Sequence, residues 1–148
     1  MEKLAAILAV MVIAVTPALA IDGWVVRESS GSAAETADRL VAAVEQAGAT
    51  VFARVDHAAG AKTVGEDLDP TVLVIFGNPK IGTAIIKADR RAALDLPLRV
   101  LIWEEDGVTR IGYERPNTLK TRYGIKGADE AFAKMTGALE KLTTAASK

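Results

Sequence analysis

The chain has 148 residues, half of them apolar and a quarter charged, with a net charge of −1 at neutral pH; this is enough for one core and too little for two ordinary domains. With no cysteine and a single histidine, His57, it has no means of forming disulfides, thiol nucleophiles, cysteine-bound zinc, iron–sulfur clusters, covalent haem or multi-histidine metal sites within one subunit. It also lacks a Lys/Arg stripe and has few aromatic residues, so nucleic acid is not an expected partner.

Met1, Glu2 and Lys3 precede an apolar run from Leu4 to Val15, which is followed by Thr16, Pro17 and then Ala18-Leu19-Ala20. A short basic start, an apolar middle and small residues at the cut form a secretory signal peptide over residues 1–20, with cleavage expected after Ala20. The run is shorter than a membrane span and Pro17 breaks its end, so no stable membrane insertion is expected after cleavage. Without a cysteine at the new terminus there is no lipid anchor, which makes the mature protein periplasmic or secreted.

Residues 21–148 read as a single domain. A strand over 24–28 leads to a turn, and Ser32 with Glu35 three residues on forms a capping box for a helix over 33–47, stopped by Gly48. Residues 50–56 alternate as a strand, with Val51, Ala53 and Val55 expected on one face and Phe52, Arg54 and Asp56 on the other. A short alanine-rich helix over 58–64 follows His57. Residues 72–76 are apolar throughout, which predicts a strand covered on both faces. Asn78 before Pro79 suits a helix cap, so a helix is expected over 79–87. A strand over 98–104, the turn Asp106-Gly107 and a returning strand over 108–114 make a hairpin, whose acidic tip, Glu104 to Asp106, is expected to be solvated. A short helical segment over 116–123 and a closing helix over 128–142 complete the order, and the tail beyond is expected to be dispensable. The fold class is therefore α+β: an antiparallel sheet with helices packed on one face.

Asp56-His57 with the alanine-rich stretch after it, Phe76-Gly77-Asn78-Pro79, Gly82-Thr83, and Asp95-Leu96-Pro97-Leu98 before a strand pair ending in Tyr113 together resemble the domain-of-unknown-function family DUF302 across nearly the whole mature chain. The resemblance implies an α+β domain with architecture like that of the TATA-binding protein, and a homodimer. It implies no reaction, substrate or cofactor, and architecture alone does not license DNA binding.

Among individual residues, His57 is the only side chain whose ordinary pKa of about 6.5 suits acid–base work near neutrality, though a histidine at a strand-to-helix junction is also a common packing residue. Asn78 could orient a ligand, while capping already accounts for it. Gly82 inside a helix costs roughly 1 kcal/mol relative to alanine. Either something packs closely there, the commoner cause, or the backbone faces a ligand. Trp103 and Tyr113, on paired strands, suit core or dimer packing. No phosphate-cradling loop is present. The reading that results is a non-enzymatic, dimeric small-ligand or accessory module of the periplasm, its ligand held near His57, Gly77, Asn78 and Thr83. The alternatives are an enzyme in which Asp56, Asn78 or Asp95 orients His57, and a pure protein–protein interaction domain.

Overall fold

The computed structural model describes residues 23–148. The expected signal peptide and its cleavage site lie outside the described residues. The strands are β1 (Trp24–Ser29), β2 (Thr50–Asp56), β3 (Thr71–Gly77), β4 (Leu98–Glu105) and β5 (Val108–Glu114). The helices are α1 (Ala33–Gln46), α2 (His57–Thr63), α3 (Pro79–Ala88), α4 (Pro116–Arg122) and α5 (Asp129–Ala146). All strand pairings are antiparallel, in the order β1-β5-β4-β3-β2. A 3-10 turn, Arg90–Leu94, was not foreseen from the sequence.

Local chemistry sets the element ends. Ser32 Oγ accepts from the Glu35 N–H while the Glu35 carboxylate accepts from the Ser32 N–H, so α1 starts with a complete capping box. Asp106 and Gly107 adopt positive φ values of 53° and 75°, the left-handed geometry of a two-residue hairpin turn. Glu104 is not merely solvated at the tip, because its carboxylate accepts from the Ala33 N–H at the start of α1, where an orphan helix donor needs a partner. Glu105 pairs with Arg110 at 2.8 Å.

The core lies between one face of the sheet and the helices. It takes Val72, Val74 and Phe76 from β3, Val100 and Ile102 from β4, and Ile111 and Tyr113 from β5, packed with Leu40 and Val44 of α1 and with Phe132, Met135 and Leu139 of α5. Full burial of each large apolar side chain contributes about 1.5–3 kcal/mol. Three expectations are corrected here. β3 is covered on one face only, since Leu73 and Ile75 are half-exposed and outside the core. β2 bulges between Val51 and Ala53, which puts Val51 opposite Phe76 on the core face, with Arg54 and Asp56, and sends Ala53 and Val55 to the opposite face beside Ile75 and Leu73. The C-terminal tail is integral: Thr143 and Ala146 are fully buried, Ser30 N–H donates to the Ser147 carbonyl at 3.0 Å, and the Arg39 guanidinium donates to the Lys148 carbonyl.

The open face is a second apolar surface. Register aligns Val55, Leu73, Leu101, Gly112 and Val26 across all five strands, with Trp24, Ile75 and Trp103 in flanking rows. Gly112 is required there, because a Cβ would come within 3.2 Å of the Trp103 ring, the Val26 side chain and the Val25 carbonyl.

Candidate functional site

β3 delivers Gly77 to the end of the sheet, where the chain turns into α3. Asn78 caps that helix, its Oδ1 accepting from the Lys80 N–H at 3.0 Å, which leaves its amide nitrogen as a donor with no partner among the described residues. Gly77, Asn78, Gly82 and Thr83 then line a cavity of about 330 Å³, walled by Phe52, Phe76 and residues of α3, α5 and the Leu96–Pro97 segment. No ionisable side chain lines it.

Gly82 corrects the close-packing explanation. A Cβ built on it meets nothing within 4 Å, so no neighbouring atom excludes a side chain there. Gly82 therefore stands at the cavity wall without a packing contact to account for it, as do the helical Gly60 and Gly137 away from either cavity.

His57 is elsewhere. Thr50 of β2 stands opposite Gly77, whereas Asp56 stands opposite Val72, so His57 follows the far end of the same strand pair, roughly 17 Å of extended chain away. It is exposed at the first position of α2 and lines neither of the two cavities described. Its proposed orienting partners are otherwise engaged. Asp56 caps α2 by accepting from the Ala59 N–H at 2.8 Å, Asn78 caps α3, and Asp95 belongs to a separate ionic cluster. The structure therefore brings together Gly77, Asn78 and Thr83 but not His57.

That ionic cluster, of which the sequence singled out only Asp95, borders a second cavity of about 420 Å³. The β4–β5 ladder stops at Leu101↔Gly112, although β4 begins at Leu98 and β5 runs on to Glu114. Below that point β4 pairs only with β3 and β5 only with β1, so the sheet is split and the cavity occupies the split. Leu73, Leu101 and Trp24 line it from the open face, and Leu119, Met135 and Leu139 from the core. Arg122 clasps its mouth, donating to Asp95 at 2.6 Å on the β4 side and to Glu114 on the β5 side. Asp95 also accepts from Arg99 and from the Tyr123 hydroxyl, each at 2.9 Å. Burial pushes the Asp95 carboxyl up, but hydrogen bonds from Arg122 and Tyr123 outweigh it and hold the group below the usual aspartate value. The same bonds, Asp95 first and then Glu114, hold Arg122 well above the ordinary arginine value. Arg91 stacks over the Tyr123 ring, 5.9 Å from its centre. These contacts were invisible in sequence because Arg122 lies 27 positions from Asp95 and 8 from Glu114, and the three meet only in the fold.

Comparison with known proteins places this geometry in a family. Residues 104 in number, 70% of the chain, are 51% identical to part of the fluoride-specific ion channel FluC 1 of Brucella suis biovar 1 (strain 1330), where they cover 41% of that protein. The same identity is found with FluC 2 of Brucella melitensis biotype 1, over 38% of its length. The chain thus spans about two-fifths of the curated relatives it matches. A crystal structure of an uncharacterized conserved DUF302 protein from Bacillus stearothermophilus superposes with a TM-score of 0.77 at 20% identity, covering 85% of this chain and 98% of that one, and so shares its fold. Residues 25–142 match the domain of unknown function DUF302, and the chain belongs to that family.

Proposed function

We propose that this protein is an exported, non-enzymatic binding module that holds a small, largely apolar molecule in the cavity under α3, with the Asn78 amide and the Thr83 hydroxyl as its polar contacts. The observation that carries the reading is Gly82. A helix-interior glycine disfavours the helix by roughly 1 kcal/mol relative to alanine, nothing packs against it, and it lines the cavity beside Asn78 and Thr83. The cavity volume is at the lower end of the range for small-molecule sites, and apolar walls with a few polar groups are their usual composition. Since no acid, base or metal ligand lines it, binding fits better than catalysis. The test is titration calorimetry with 1-octanol on the mature protein. Saturable binding that weakens at least about tenfold in Gly82→Leu, a variant whose Cβ meets no neighbouring atom and whose residue is a better helix former, is the expected result. An affinity unchanged by Gly82→Leu would refute the site.

Export rests on residues 1–20, read as a signal cut after Ala20, which places the module in the periplasm. Homodimer formation uses the open sheet face. Its centre is apolar, with Val55, Leu73, Leu101 and Val26 in one row across the strands, and a two-fold axis would cover that patch with the same patch of a second copy. The accessory role draws on the Brucella proteins named as channels. No helix among residues 23–148 here is long and apolar enough to cross a membrane, and the domain is read as a unit that works beside a membrane partner.

A further inference from the structure

We propose that the split between β4 and β5 is a second binding site, one that takes the carboxylate head of a straight-chain amphiphile. This goes beyond the α3 cavity, from which it is divided by the shared wall of Leu96, Leu98 and Met135. Three observations converge on it.

The first is the interrupted ladder. Between Leu98 and Leu101 on one side and Gly112 and Glu114 on the other, two strand edges face each other without strand partners. Such edges present main-chain donors and acceptors that an interior site has to satisfy.

The second is charge. The cavity lining carries Arg99, Arg115 and Arg122 against Asp95 and Glu114. Arg99 and Arg122 are committed to those two carboxylates. Arg115 has no side-chain partner among the described residues. It stands at the N-cap position of α4, yet its side chain makes no capping bond, and its backbone N–H is already used by the Gly23 carbonyl at 2.8 Å. One guanidinium is therefore left over at the mouth, with the fork geometry that suits a carboxylate.

The third is the shape of the apolar part. Leu73 and Leu101 from one face of the sheet and Leu119 and Leu139 from the other line a single void that passes through the sheet. A chain threaded there would lie against leucines on both sides while its head stays with Arg115.

The experiment is calorimetric titration of the mature protein with octanoate and, separately, with 1-octanol, on wild type, Arg115→Gln and Gly82→Leu. Arg115 is exposed and unpaired, so Arg115→Gln leaves the fold intact, which its unchanged denaturation midpoint verifies. Octanoate affinity is expected to fall about tenfold or more in Arg115→Gln, as for the loss of a charge-assisted contact, and to stay within about threefold in Gly82→Leu. The affinity for 1-octanol is expected to show the reverse pattern. Octanoate that binds equally well to wild type and Arg115→Gln, or that does not bind wild type at all, overturns the split site and leaves the α3 cavity untouched. Loss of octanoate binding together with 1-octanol binding in Gly82→Leu would mean that the acid uses the α3 cavity instead, and overturns the proposal too.

Discussion

On β4, Val100 and Ile102 are fully buried against the helices, whereas Leu101 and Trp103, between and beside them in the chain and just as apolar, remain half-exposed on the opposite face. β3 repeats the pattern, with Val72, Val74 and Phe76 covered and Leu73 and Ile75 not. At the centre of these two strands the faces are thus alike in apolar character and opposite in surroundings. A strand that is apolar at every position announces two surfaces that need covering. It does not say that the same chain supplies both covers.

The largest effect that separates the faces is cavity formation. Ile102→Ala is expected to destabilise the protein by about 2–5 kcal/mol, as for a fully buried aliphatic side chain, while Leu101→Ala costs less than about 1 kcal/mol. Urea denaturation of both variants as monomers checks this, and equal losses would mean that the open face is packed after all.

The split is where the two faces communicate, and Asp95→Asn loosens the Arg122 clasp across it. A loss of about 1–2 kcal/mol is expected near neutral pH, because a partly buried, charge-assisted pair of hydrogen bonds goes with the carboxylate. The folded state lowers the Asp95 pKa, so this stabilisation is complete above the unfolded aspartate value of about 3.9 and disappears as pH falls through the lower folded value. The gap between wild type and Asp95→Asn in denaturation midpoint should therefore be constant from pH 7 to about pH 5 and close in more acidic solution. A gap that persists at the acid end would place the contribution of Asp95 in packing rather than in charge.

The smallest effect on stability has the clearest effect on assembly. Leu101→Arg puts a charge at the centre of the open face and is expected to change monomer stability by no more than about 0.5 kcal/mol. If a second copy covers that face, light scattering will show the wild type as a dimer and the variant as a monomer. A wild-type dimer that survives Leu101→Arg would move the interface elsewhere.

Local chemistry made much of the fold legible. Ser32 and Glu35 announced α1, Asn78-Pro79 announced α3, and Asp106-Gly107 announced the hairpin, because caps and tight turns depend on residues within a few positions of one another. The bulge at Phe52 was not legible, since one extra residue in a strand leaves the apolar pattern nearly unchanged while reversing which side chains face the core. Of the candidate site, Gly77, Asn78 and Thr83 were found together because they are neighbours in sequence. His57 was grouped with them for its chemistry, and the antiparallel pairing of β2 with β3 carries it to the other end of the sheet.

The α+β class, the lack of cysteine and most element boundaries could be read from the chain alone, because propensity, capping and apolar periodicity act over short distances along it. Long-range packing alone settles which face of the sheet the helices cover, that β4 and β5 part below Leu101, that Arg122 joins Asp95 to Glu114 and that Arg115 is left over. Those features arise from residues far apart in the chain meeting in space, and no pattern of neighbours encodes such a meeting.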